Sequence, residues 1–204
     1  MSDTKFWDRI APKYAKDPIT DPAAYEYTLG RTRSYLNDSD RVLELGCGTG
    51  STALLLAPGV GHLTATDFSA GMIAIAQAKP RTSDNISFAV QDRIPASGRY
   101  DAVLAFNLLH LMPDPDARLR EIHALLPEGG YFISKTACLK SGLKWRLISM
   151  VIPLMQLVGK APGLVNGFSV ETLEGYITDA GFDIFESGDY PAPSRYVVAR
   201  KRAA

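Results

Sequence analysis

The stretch VLELGCGTG, residues 42–50, carries strand character into three alternating glycines, and the helical run STALLLA (51–57) follows at once. Alternating glycines at such a junction let the backbone turn sharply and let a ligand approach bare amides. Working outward, RVLEL (41–45), HLTATD (62–67), NISFAV (85–90), YDAVLAF (100–106) and GGYFISKT (129–136) are short apolar runs bounded by Gly, Asp or Asn. Runs of this kind read as strands covered on both faces. Between them SAGMIAIAQAK (69–79) and DPDARLREIHALL (114–126) have helical periodicity, with Ser69 as an N-cap and Pro115 near a first turn. Strand–helix alternation predicts an α/β fold built on a doubly wound parallel sheet.

Ahead of this core, residues 3–36 read as one or two helices, with Asp21-Pro22 as cap and first-turn proline. Behind it, SVETLEGYITDA (169–180) is a helix capped by Ser169 and stopped by Gly181. DIFESGD (183–189) and RYVVARK (195–201) then close the chain as an antiparallel strand pair, because the turn between them is short. The 204 residues are expected to form a single domain: a helical cap over 1–36, a ligand-binding core over 40–136, an apolar lid over 137–168, and the closing helix and strands over 169–204.

Hydrophobic residues make up 46% of the chain, enough for a core without metal or disulfide staples. Cys47, Cys138 and the three histidines fit no metal-ligand spacing, so no metal site is expected. The 22 basic and 22 acidic residues cancel, which disfavours a nucleic-acid partner. The charged N-terminus has no apolar run of signal-peptide type, so a cytoplasmic location is expected. The oligomeric state is left open.

Seventeen residues after Gly50, Asp67 ends the second strand, where a carboxylate beside the loop can take both hydroxyls of a ribose. The third glycine of a G-x-G-x-x-G dinucleotide loop is replaced by Ser51, which makes a nicotinamide-dependent oxidoreductase a poor alternative.

With these residues in place, the sequence resembles the class I S-adenosylmethionine-dependent methyltransferases. Their first motif, an acid followed by G-x-G-x-G, is matched by Glu44, Gly46, Gly48 and Gly50. Asp67 matches the family's ribose acid, and Asp92 in FAVQDR matches the acid that meets the adenine amino group. YDAVLAFNLLHLM looks like the fourth strand, LLPEGGYFI the entry to the fifth, and FWDRIAPKYAK the cap of small-molecule members. The resemblance implies a Rossmann-like, seven-stranded, mostly parallel sheet with an antiparallel C-terminal strand and an N-terminal helical cap. It also implies S-adenosylmethionine as cofactor, with S-adenosylhomocysteine as product. Neighbours of the motif positions, Cys47, Phe68, Met72, Arg93 and Asn107, join the implied cofactor site, Cys47 as a small filler of the turn.

A sulfonium methyl is already activated, so such a protein supplies position and exclusion of water. Two residues are candidates for more: His110 past the fourth strand, as base or orienting group, and Tyr14 in the cap, reaching toward the methionine carboxylate or the methyl. Nucleobase and amide methyltransferases carry Pro-Pro-aromatic after the residue at Asn107; here Leu108, Leu109 and His110 follow, which argues against a nucleobase or amide acceptor.

Between Gly129 and Val170 there is no acid but there are five cations, and residues 147–159 are apolar and too short to span a bilayer. In relatives the insertion after the fifth strand builds the acceptor pocket, so a small apolar or amphipathic acceptor is expected. Two alternatives stand beside it. One is a phospholipid headgroup N-methyltransferase touching the membrane through residues 143–160, and the other is a non-catalytic sensor or scaffold that binds the cofactor.

Overall fold

The computed structural model describes residues 4–138, 156 and 161–203. Most of the expected lid therefore lies outside the described residues, as does the segment 143–160 apart from Gln156. Two helices open the chain, α1 (Thr4–Tyr14) and α2 (Pro22–Arg33). The core alternates β1 (Arg41–Leu45), α3 (Ser51–Leu56), β2 (His62–Asp67), α4 (Ala70–Ala78), β3 (Ile86–Val90), β4 (Ala102–Phe106), α5 (Pro115–Leu125) and β5 (Tyr131–Ala137). It closes with α6 (Val170–Asp179), β6 (Phe182–Asp189) and β7 (Ser194–Lys201).

Cap chemistry sets the helix starts. Asp21, Ser69, Asp114 and Ser169 accept the amides of Ala24, Met72, Ala117 and Thr172 through their side chains. Gly181, at φ +100, ends the last helix as expected.

The seven strands lie in the order β3-β2-β1-β4-β5-β7-β6, with β1 to β5 parallel and β7 antiparallel to both β5 and β6. The strand pair was legible in sequence, but the last strand of the chain inserts inside its partner rather than adding at the edge. There Val197 and Ala199 are fully buried on one face and Tyr196 and Val198 on the other. Strand alternation divides the core in two. Leu43, Val103 and Phe132 pack with Leu119 and Ile122 of α5 and Ile177 of α6. Val42, Leu104 and Ile133 pack with Leu29, Leu56 and Ile73 of α2, α3 and α4. Strand order reverses between β1 and β4, and a crevice opens at their carboxyl ends, where open α/β sheets bind ligands.

Candidate active site

The glycine loop has three left-handed residues, Gly46, Gly48 and Gly50, at φ +64, +54 and +72. They differ in what surrounds them. A Cβ on Gly46 would stand 2.6 Å from Leu108 Cδ1, and one on Gly50 2.8 Å from both Ala76 and Phe88. On Gly48 the nearest neighbour would be Tyr14, at 3.9 Å. Gly46 and Gly50 are therefore held by packing, whereas Gly48 has room for a Cβ with only the Tyr14 ring in van der Waals reach.

Asp67 ties this loop to the next strand. Its Oδ2 accepts the Gly48 amide at 2.9 Å and its Oδ1 the Ser69 amide at 2.9 Å. A carboxylate has about four lone-pair sites, so each oxygen keeps capacity for a ligand hydroxyl. Burial raises the Asp67 pKa, and the two amides pull it back. Behind the loop, Glu44 is 2% exposed and its Oε2 has no hydrogen-bond partner. Burial, helped by Asp67, pushes its pKa up to about 8.

A cavity of about 610 Å³ opens from the loop. Its polar wall is made by Thr66, Asp67, Gln91, Asp92 and Arg93, with Gly46 and Phe68 at the loop side. Its apolar wall is Leu108, Leu111, Met112 and Pro113, faced by Pro162, Gly163 and Leu164. That facing segment is pinned by Asn166, whose backbone amide donates to the His110 carbonyl at 2.6 Å and whose side-chain amide donates to the Met112 carbonyl at 2.7 Å. Trp7 of α1 also borders the cavity. One residue on, Asp8 clasps α1 onto α4 by accepting from Ser69 Oγ at 2.6 Å and the Gly71 amide at 2.9 Å.

Of the expected cofactor residues, Gly46, Asp67, Phe68, Asp92 and Arg93 meet at this cavity. Several others do not. The Met72 side chain is 2% exposed and belongs to the interior, because α4 turns it inward. Cys47 packs with Ala53 and Leu56, and burial raises its thiol pKa far out of the working range. Glu44 stands behind the loop rather than in the cavity wall. Asn107, at φ +55, lines a separate cleft of about 60 Å³ with Tyr25, Thr28, Thr32, Thr52 and Lys135.

The two catalytic candidates fare differently. Tyr14 is close to the loop and about half exposed, and its partial burial with the nearby Asp67 raises its pKa, so it stands as a neutral hydroxyl. His110 sits on a short 3₁₀ turn, Leu109–Leu111, with Nδ1 buried and unpartnered among the described residues. Burial lowers its pKa to about 4, which makes it a weak proton acceptor and suits an orienting role. Sequence reasoning did not single out Trp7 and Gln91, although both lie inside the quoted stretches FWDRIAPKYAK and FAVQDR, nor Arg118 and the Asn166 pin, which stand in no motif.

Residues 19–187 match a family model described as a methyltransferase domain. The chain belongs to that family. It is a class I S-adenosylmethionine-dependent methyltransferase domain, and membership implies that S-adenosylmethionine and S-adenosylhomocysteine are its ligands. The residues fit such a ligand: Gly48 leaves an open cradle, Asp67 retains lone pairs beside it, and Glu44 keeps a buried oxygen without a partner. Among curated relatives, a highly reducing polyketide synthase of Gibberella moniliformis is 28% identical over 197 residues, covering 87% of this chain and 7% of the synthase. A ubiquinone biosynthesis O-methyltransferase of Xanthomonas axonopodis pv. citri is 27% identical over 137 residues, covering 65% of this chain and 56% of that enzyme. The methyltransferase domain thus spans only part of the length of these relatives. Among solved structures, the complex of the Haloferax volcanii Trm112 methyltransferase activator with a methyltransferase aligns at TM-score 0.76 and 20% identity, covering 97% of this chain and 98% of the other. The complex of DhpI with S-adenosylhomocysteine aligns at TM-score 0.75 and 23% identity, covering 99% and 96%. At these identities both establish the fold. No group of His, Cys, Asp and Glu able to hold a metal occurs among the described residues, and no helix there is long and apolar enough to cross a membrane.

Proposed function

We propose that the protein transfers the methyl group of S-adenosylmethionine to a small apolar or amphipathic acceptor. The observation that carries this reading is the two-sided cavity. Asp67, Asp92 and Gln91 offer acceptors and donors suited to a nucleoside, and Leu108, Leu111, Met112 and Leu164 continue the same space as an apolar surface. A cavity of about 610 Å³ falls in the range of small-molecule sites. A pure sensor of the cofactor has no use for the apolar extension. The polyketide synthase and the ubiquinone biosynthesis O-methyltransferase among the relatives support an acceptor of small, oxygen-bearing, largely apolar character.

When bound, the cofactor supplies an electrophilic methyl on a sulfonium. Asp67 holds ribose hydroxyls and, through the Gly48 amide, the shape of the loop that receives the rest. Glu44, behind the loop, keeps a carboxyl that burial holds protonated unless a nearby positive charge offsets that burial. Leu111, Met112, Pro113 and Leu164 exclude water and hold the acceptor against the reactive end.

The test mixes purified protein, methyl-labelled S-adenosylmethionine and a whole-cell extract, then partitions label between organic and aqueous phases. Label in the organic phase, absent with D67A, is the expected result. Label confined to the aqueous phase sinks the apolar acceptor, and no transfer to any extract sinks the enzyme reading.

A further inference from the structure

The cleft under α2 is distinct from the large cavity and has an unusual lining. Lys135, near the end of β5, stands among the hydroxyl-bearing residues Tyr25, Thr28, Thr32 and Thr52 and the amide of Asn107. It sits opposite Phe106 in the parallel register with β4, and the Asn107 amide donates to its carbonyl at 2.6 Å. The lysine is therefore at the carboxyl ends of β4 and β5, on the edge of the crevice where ligands of this fold class bind. Thr52 lies in the first turn of α3, directly after the glycine loop, so the cleft and the cofactor loop share a wall.

The Lys135 ammonium is partly buried and has no hydrogen-bond or ion-pair partner among the described residues. Asp21, the N-cap of α2, is the acid that acts on it through space, while burial draws its pKa down. An unpaired cation in a partly buried cleft is costly unless something offsets its charge. A cleft of about 60 Å³ has room for an oxygen and the atoms next to it and excludes a ring.

We propose that Lys135, with Tyr25, Thr52 and Asn107, forms an oxyanion subsite that takes the ionised oxygen of an organic acceptor whose apolar body lies outside the cleft. This deepens the methyl-transfer reading and rests on it for the word acceptor, though not for the binding of an anion. The ammonium offsets the oxygen's charge, and of Tyr25 and Thr52, whose hydroxyls hydrogen-bond each other at 3.2 Å, one keeps a proton to donate to it. Thr28 and Thr32 add little, since the Thr28 hydroxyl already donates toward the Ala24 and Tyr25 carbonyls and the Thr32 hydroxyl serves the Thr28 carbonyl and Tyr196.

The experiment is calorimetric titration of 4-nitrophenolate and, separately, benzoate into the protein saturated with S-adenosylhomocysteine. The variants are K135M and K135Q. Both remove an unpaired charge, so both are expected to melt no lower than the parent. Binding of at least one probe, weakened about tenfold or more in either variant with S-adenosylhomocysteine affinity unchanged, is the expected result. The probe that binds identifies the oxygen as phenolate-like or carboxylate. Equal binding by parent and variants, or binding of neither probe, overturns the subsite. Failure of S-adenosylhomocysteine to bind the parent overturns the methyl-transfer reading instead, and the anion titration is then read on the protein alone.

Discussion

The Gly48 amide and the Asp67 carboxylate meet at 2.9 Å, joining the loop after β1 to the end of β2. A single side chain thus shapes the glycine loop and lines the cavity. D67A is expected to weaken S-adenosylhomocysteine binding at least tenfold, since each hydrogen bond to a charged group is worth about 1.5–3 kcal/mol. It should also lower the melting temperature, because the Gly48 and Ser69 amides lose their acceptor. Calorimetry and thermal melting check both effects. Unchanged affinity would remove Asp67 from the cofactor site.

Gly48 and Gly50 separate folding from binding. G50A places a methyl 2.8 Å from Ala76 and Phe88 at a left-handed φ, and is expected to destabilise by about 2–4 kcal/mol. G48A meets only Tyr14, at 3.9 Å, and carries the left-handed cost alone, about 1 kcal/mol. Its methyl fills the cradle, so S-adenosylhomocysteine affinity should fall more than stability does. Denaturant melts beside binding isotherms decide this; a G48A protein that binds normally would show that no ligand approaches there.

Glu44 gives stability a pH dependence of defined sign. Its carboxyl titrates at about 8 in the fold against an ordinary 4.5, so between these values the native state keeps a proton that the unfolded chain has released. Stability contributed by this group is present below that window and is lost as pH rises through it. The melting temperature of the cofactor-free protein should fall across the window, and E44Q should flatten the fall. An identical slope in E44Q would assign it to another group.

His110, lowered to about 4 from an ordinary 6.5, remains neutral through the neutral range. H110A is therefore expected to slow turnover while leaving S-adenosylhomocysteine affinity and the shape of the pH–rate profile unchanged. An inflection near 6.5 that vanishes in H110A would show the imidazole acting as a proton acceptor.

Much of the fold was legible because its determinants are contiguous. Caps at Asp21, Ser69 and Ser169, the stop at Gly181 and the apolar runs of β1 to β5 are each written within a few residues. That Gly46, Asp67 and Asp92 line one cavity was legible because strand ends of a doubly wound sheet converge whatever covers them. Met72 and Asn107 lie away from the cavity lining because helix rotation and a left-handed backbone residue aim a side chain in ways that spacing does not encode.

Local pattern was thus enough for the fold class, the glycine loop and the acid at the end of β2, since strand period, turn chemistry and capping act over a few neighbouring bonds. Chain folding in three dimensions was needed for the insertion of β7 between β5 and β6, the clasp of Asp8 on Ser69, the Asn166 pin and the seat of Lys135 beside Thr52. Each of these joins residues distant in sequence, and their partners are selected by how much apolar surface and how many polar groups the whole assembly can satisfy at once.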